Sequence, residues 1–247
     1  MASVAVVIPA AGKSERFGGR EKKPFVPLDG RAVWQRTAEL FWTRQDVTKV
    51  YLVVSPADRE SFRSRFGHVI AFANAEVVDG GAERFESVAN ALARVPGDVD
   101  LVAVHDAVRP LVTPAQIDAV FAAAAARGAA MLAIPVADTL KRVEPGTDWV
   151  AETIPRAGLW QAQTPQVFRR QLLVEAYAGR GRFGAAITDD AQLVEAAGHP
   201  VHVVPGSLTN FKITSPEDLE LAEAVVKARA AKKPPPAAHP FGDEAKW

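Results

Sequence analysis

Five basic residues, Lys13, Arg16, Arg20, Lys22 and Lys23, follow directly on a run of small residues, Pro9-Ala10-Ala11-Gly12. Two acids, Glu15 and Glu21, lie among them, so five cations less two anions leave a local excess of three positive charges. Small residues let backbone N–H groups come close to a polyphosphate, and cations just beyond them neutralise it. This is the pattern of a triphosphate site; a solvated basic turn is the plainer alternative. Gly12-Lys13-Ser14 repeats the end of a Walker loop, yet Val7 stands where that loop requires its first glycine. Gly12, Gly18 and Gly19 also miss the dinucleotide-binding spacing. Farther on, Asp106 follows the apolar run Leu101 to Val104. A carboxylate there suits Mg²⁺ held against phosphates, because hard cations take oxygen ligands; an aspartate capping the turn before Thr113-Pro114 is the alternative. His105 and Asp106 are adjacent in an extended stretch and point to opposite faces, which argues against a shared hydrolase relay. Lys212 sits between an apolar run and the last helical segment, where an isolated lysine is ordinarily solvated.

The elements that must position these residues are short apolar runs, Val4 to Ile8, Val50 to Val54, Leu101 to Val104, Met131 to Ile134 and Val201 to Val204, which read as buried strands. Helical spacing fills much of what lies between, at Val33 to Trp42, Ser87 to Val95, Pro114 to Arg127 and Thr188 to Ala197. The alternation predicts an α/β fold with a doubly wound, mostly parallel sheet, whose ligands bind beyond the carboxyl ends of the strands. Thr139 to Val143 and Trp149 to Ile154 flank Pro145-Gly146 and predict a β-hairpin arm over about 137–156. A two-stranded hairpin is marginal alone and needs an apolar surface to lean on, in the body or in a second subunit. The final helix is expected near Ser215-Pro216-Glu217-Asp218, with serine as cap, proline in the first turn and acids against the helix dipole. It fades at Lys232-Lys233-Pro234-Pro235-Pro236. The expected organisation is a single domain over 1–231 and a disordered tail over 232–247, with no second domain after the prolines.

Composition narrows the function classes. At 247 residues and 48% apolar content the chain can bury a sizeable core. Lys plus Arg and Asp plus Glu are both 29, so overall charge gives no reason to expect nucleic acid or an acidic membrane as partner. The absence of cysteine removes disulfides, thiolate metal sites and cysteine nucleophiles together. The apolar start at Val4 to Ile8 is too short for a signal peptide or a membrane span, so a soluble cytoplasmic protein is expected.

Read in order, a succession of short strings resembles the methylerythritol phosphate cytidylyltransferase family. They are Pro9 to Gly12 with Arg16 and Lys23; Val78-Asp79-Gly80-Gly81; Glu83-Arg84 with Ser87-Val88; Val104-His105-Asp106-Ala107 with Arg109-Pro110; Asp138-Thr139-Leu140-Lys141; Arg156 with Gly158-Leu159-Trp160; Thr164-Pro165-Gln166; Ile187-Thr188-Asp189; and Asn210-Phe211-Lys212-Ile213-Thr214. Together they cover roughly residues 4 to 229. Lys22-Lys23-Pro24 stands where many relatives read Pro-Lys-Gln, and Thr209 where some carry an acid. The resemblance implies transfer of CMP from CTP to a phosphorylated polyol, with Mg²⁺ or another divalent cation as cofactor and Asp106 on the metal. It implies charge stabilisation by Arg16 and Lys23, and positioning of the acceptor by Arg156 and Lys212. Pro9, Ala10, Ala11 and Gly12, with Gly80, Gly81 and Ser87, would receive the nucleotide. Arg109, Thr139, Thr164 and Thr188 would surround the acceptor with Arg156, in keeping with hydroxyls and a dianion to be bound. It also implies a homodimer that exchanges its hairpin arms. A ribitol-5-phosphate cytidylyltransferase of the same fold and a nucleotide-binding regulatory protein without turnover remain the alternatives.

Overall fold

The structure, a computed structural model, describes residues 2–12, 21–182 and 187–231. Arg16 and the expected tail lie outside the described residues. Seven strands form the main sheet: β1 (Val4–Pro9), β4 (Val47–Val54), β5 (Ala75–Asp79), β6 (Leu101–Val104), β7 (Ala129–Pro135), β10 (Trp160–Arg169) and β11 (His202–Pro205). Two short strands, β2 (Pro27–Leu28) and β3 (Arg31–Ala32), pair with each other, as do β8 (Leu140–Val143) and β9 (Val150–Ile154). The seven-strand order is β11-β7-β10-β6-β1-β4-β5. All neighbours are parallel except β10, which runs antiparallel to both β6 and β7.

The sheet is covered on both faces, which is why its strands read as continuous apolar runs. Along β1 the side chains alternate: Val4, Val6 and Ile8 join one core and Ala5 and Val7 the other. The first core receives Trp34, Ala38 and Phe41 of α1 (Val33–Trp42), Phe62 and Phe66 of α2 (Arg59–Ala71), and Ile117, Val120 and Phe121 of α4 (Pro114–Arg127). The second receives Val88, Ala91 and Leu92 of α3 (Arg84–Leu92), Leu173 and Ala176 of α5 (Arg170–Ala178), and Leu193 and Val194 of α6 (Asp190–Ala196). A third cluster seats α7 (Pro216–Ala231) through Ala222 against Leu28, Val33 and Ile213. No helix among the described residues is long and apolar enough to cross a membrane.

The five apolar runs are all strands, and α1 and α4 have the bounds their spacing predicts. At α4, Thr113 and Gln116 form a reciprocal capping box, Pro114 opens the first turn, and Gly128 closes the helix at φ 95°. Two helices begin elsewhere than expected, because side-chain caps set their starts. At α3 the side chain of Glu86 accepts from the N–H of Ala82 and Glu83, so the helix opens at Arg84 rather than Ser87. At α6 Asp189 caps by accepting from Gln192 N at 2.8 Å, and the helix opens at Asp190 rather than Thr188. The hairpin forms as expected, with Gly146 at φ 80° in its turn and Glu144 N bonded to Trp149 O. Its apolar side chains lie open on this chain: Trp149 is 76% and Val150 58% exposed.

Candidate active site

The carboxyl ends of β1 and β6 open into a cavity of about 750 Å³. Its floor is the segment leaving β1, Pro9 to Gly12, and one wall is the Gly81 to Ser87 stretch that leads from β5 into α3. Lys22, Lys23 and Pro24 close a second side, and Asp106 with Lys212 the third. Glycine is required where these segments meet. A Cβ on Gly80 would lie 2.6 Å from Ala11 Cβ, and one on Gly81 would lie 2.3 Å from Glu86 Cβ. Among the described residues, a Cβ on Gly12 would meet no atom within 4 Å, and Gly12 lines the cavity. Ser87, 3% exposed, accepts from Gly81 N at 3.1 Å and donates to Glu83 O at 3.2 Å, which fixes the wall to the helix it enters.

Asp106 is the electrostatic centre. Arg109 Nε and Lys212 Nζ each lie 3.2 Å from its Oδ2. Burial alone would raise its pKa; the charges of Lys212, Arg84 and Arg109 overcome this and hold the carboxyl well below the ordinary aspartate range. It is a carboxylate at neutral pH. Behind it, His105 is fully buried and packs on Phe41 at 5.1 Å between ring centroids. Burial depresses its pKa to about 4, so the imidazole is neutral. Its Nε2 lies 3.0 Å from the Arg109 carbonyl, which can only accept, so Nε2 carries the proton and Nδ1 accepts from the Thr164 hydroxyl at 3.0 Å. Thr164 Oγ1 in turn accepts from Asp106 N at 3.0 Å. His105 therefore orients the loop and shares no relay with Asp106, in line with the opposite facing of the two residues.

Asn210 ties the Lys212 segment to the same loop. It is fully buried, its Nδ2 donates to Thr164 O at 2.9 Å, and its own carbonyl accepts from Arg109 Nη1 at 2.8 Å. Lys22 pairs with Asp58 at the cavity rim, and Lys23 lines the cavity beside it.

Of the residues singled out in the sequence, the cavity lining brings together Pro9, Ala10, Ala11, Gly12, Lys23, Gly81, Ser87, Asp106 and Lys212. Gly80 is buried immediately behind Ala11. Arg109 and Thr164 stand behind the lining, bonded to Asp106. Thr188 is exposed near the start of α6, its N–H and hydroxyl both bonded to Gln192 Oε1. Thr139 and Arg156 lie exposed on the arm and do not line this chain's cavity. Arg84 was missed as a site residue although it falls inside one of the matched strings, because its ion partner, Asp190, is 106 positions away.

The chemistry of the donors can be tested against a divalent ion. Among the described residues no group of three or more His, Cys, Asp or Glu could hold a metal by itself. Of the two acids in the lining, Glu83 caps α3, which leaves the ionised Asp106. One carboxylate facing a polyphosphate site fits magnesium that takes its remaining ligands from phosphates and water, and does not fit a metal centre built from protein alone.

A parallel-rich sheet with a small-residue loop, lysines and one carboxylate at its carboxyl edge defines a nucleotidyltransferase of the nucleotide-diphospho-sugar transferase type. The sequence profile of the 2-C-methyl-D-erythritol 4-phosphate cytidylyltransferases matches residues 4–228, and the chain belongs to that family. Two proteins of that name are similar over nearly their whole length. One, from Rhodopirellula baltica, is 45% identical over 91% of this chain and 95% of its own; the other, from Pelotomaculum thermopropionicum, is 43% identical over 93% and 96%. The crystal structure of the Thermus thermophilus protein of that name superposes with a TM-score of 0.73, at 36% identity, covering 90% of this chain and 98% of its own. The fold and the activity class implied by the sequence resemblance are thus both borne out.

Proposed function

We propose that this chain joins CTP to 2-C-methyl-D-erythritol 4-phosphate, releasing pyrophosphate and forming the cytidine diphosphate derivative of the polyol. The observation that carries the reading is the convergence of Lys23, Lys212 and the carboxylate of Asp106 on one cavity floored by Pro9 to Gly12, in a chain of this family. An oxygen of the acceptor phosphate attacks the α-phosphorus of CTP, the bond from that phosphorus to the β-phosphate bridging oxygen breaks, and the electron pair leaves with pyrophosphate. The attacking oxygen is already anionic at neutral pH, so the reaction needs no general base. The work left to the protein is to hold two polyanions in line and to stabilise the departing charge.

The floor and the Gly81 wall receive the nucleotide. Arg16 and Lys23 stabilise the charge that develops on the triphosphate. Lys212, held at Asp106 and anchored by Asn210, positions the acceptor phosphate. Asp106 would hold a magnesium ion together with the phosphates, and the ion when bound supplies further charge neutralisation. Arg156 and Thr139 belong to an arm with exposed Trp149 and Val150, which supports a homodimer in which each arm completes the partner's acceptor pocket.

Pyrophosphate release measured with CTP and Mg²⁺, with each polyol phosphate in turn, tests the reaction. Release with 2-C-methyl-D-erythritol 4-phosphate is expected. A preference for ribitol 5-phosphate would reassign the acceptor, and CTP binding without release under either condition would make the chain a nucleotide-binding regulator.

A further inference from the structure

Arg84 lies in the cavity wall, in the first turn of α3, and is held from behind. Its Nη2 donates to Asp190 Oδ2 at 2.7 Å, and the other oxygen of Asp190 accepts from the Tyr177 hydroxyl at 2.5 Å. Asp190 is 1% exposed, whereas the Arg84 side chain keeps 33%. The carboxylate is thus satisfied by two donors inside the fold, and the guanidinium it holds looks outward. Asp106, which lines the same cavity, already feels that charge.

A guanidinium has five N–H donors in a planar fork. Asp190 takes one side of the Arg84 fork, and among the described residues Nε and Nη1 form no hydrogen bond. An ion pair serving only to fasten α3 to α6 could be replaced by apolar packing at no loss of stability. It would also have no reason to border a cavity. Here the pair links the nucleotide wall to Asp190, two residues beyond Thr188 of the acceptor segment.

We propose that Arg84 is a further substrate-contacting residue: its open N–H groups bind a phosphate oxygen of the nucleotide, and Asp190 with Tyr177 holds them at the seam between the nucleotide and acceptor halves. The planar fork suits phosphate better than an ammonium does. The inference rests on the reading of this cavity as a CTP site and adds to it a residue of the wall that runs from Gly81 to Ser87.

Calorimetric titration with CTP in the presence of MgCl₂ tests it without requiring turnover. Arg84→Gln should weaken binding about tenfold or more, the scale of a hydrogen bond to a charged group. Arg84→Lys, which keeps the charge and loses the fork, should fall between it and the parent. Asp190→Asn should weaken CTP less than Arg84→Gln does, because the guanidinium stays but is no longer held. CTP affinities within twofold of the parent for both Arg84 variants, alongside lowered melting temperatures, would overturn the inference and leave a purely structural pair. Should Arg84→Gln fail to fold, Arg84→Lys decides alone: equal affinity rejects the contact, and weaker affinity in a protein that melts like the parent supports it. Pyrophosphate release is followed on the same samples. A parent that binds CTP without turnover counts against the proposed reaction while the Arg84 comparison stands, and a parent that does not bind CTP overturns both.

Discussion

Three cations act on Asp106, and the consequences of removing either sign differ. Lys212→Ala and Lys23→Ala each delete a charge that lines the cavity, and each should lower kcat about a hundred- to a thousandfold with an unchanged circular dichroism spectrum. Turnover of Lys23→Ala near that of the parent would move its role to Lys22, whose ion pair with Asp58 makes it the second choice. Asp106→Asn keeps the shape and removes the charge that compensates Lys212 and Arg109. It should raise the magnesium concentration needed for half-maximal turnover. It should also cost about 1 to 3 kcal/mol of stability, less than a fully buried pair would, because the Lys212 side chain is 46% exposed. Magnesium titrations and denaturant melts of both proteins measure the two effects, and an unchanged magnesium midpoint would leave Asp106 a structural residue.

The two tyrosines make a second test at this scale. Tyr177 has its pKa raised strongly, first by burial and then by the Asp190 carboxylate; burial and then Glu76 raise that of Tyr51. A folded pKa above the unfolded value of about 10 gives a contribution to stability that is intact below pH 10 and is lost as the pH climbs through the folded value. Tyrosinate absorbance should therefore appear above pH 10 and together with loss of the circular dichroism signal. A titration centred near pH 10 in the still-folded protein would contradict the burial of both hydroxyls.

Among the elements, the segments around the cavity floor allow ligand contact and backbone fit to be separated. Gly80→Ala forces a Cβ against Ala11 Cβ, between two atoms fixed by backbone, so it should lower both the melting temperature and the affinity for CTP. Gly12→Ala places its methyl where no atom of the described residues lies within 4 Å, and should weaken CTP while leaving the melting temperature alone. Thermal melts beside calorimetry read the difference, and a destabilised Gly12→Ala would show that the floor is packed more tightly than described. Which elements were legible follows from the same local physics. The strands buried on both faces announced themselves as apolar runs, and α4 by its helical spacing. β10 did not, because its sequence opens with Trp160-Gln161-Ala162-Gln163 and contains Pro165, which argues against a central strand. The fold admits it through an irregularity between Ala162 and Gln166, where pairing with β7 shifts register. α2 was hidden because only Phe62 and Phe66 are buried along it, and β5 because, at the sheet edge, none of its residues is fully buried. In the site, the small-residue floor and its lysines could be argued from residue types. The convergence of Asp106, Arg109 and Lys212 rested on the family resemblance, since no spacing rule joins positions about a hundred residues apart. The Arg84–Asp190 pair carried no signal for the same reason.

At the scale of the whole molecule, the open arm supports one more expectation. If Arg156 serves the partner's site, mixing Arg156→Ala with Lys23→Ala protein and allowing subunits to exchange should restore about a quarter of all sites, since half of the dimers are mixed and each then has one intact site. Activity that stays at the level of the single mutants would place Arg156 within its own chain, and a monomer by light scattering would remove the exchanged arm. The antiparallel strand has a consequence of another kind, in the order of synthesis. Every neighbour in the β5-β4-β1-β6 half of the sheet is complete once Val104 has been made, but β6 gains its other neighbour only with β10, which ends at Arg169. The 65 residues between those positions (169 minus 104) take about 3 to 13 s to translate at about 5 to 20 residues per second. Throughout that interval the nascent chain presents an unpaired apolar strand edge at β6, and β7, complete at Pro135, waits for β10 to connect it to that edge. A ribosome-bound chaperone would meet its greatest need over this stretch of the message, and slowed translation there would prolong the exposure.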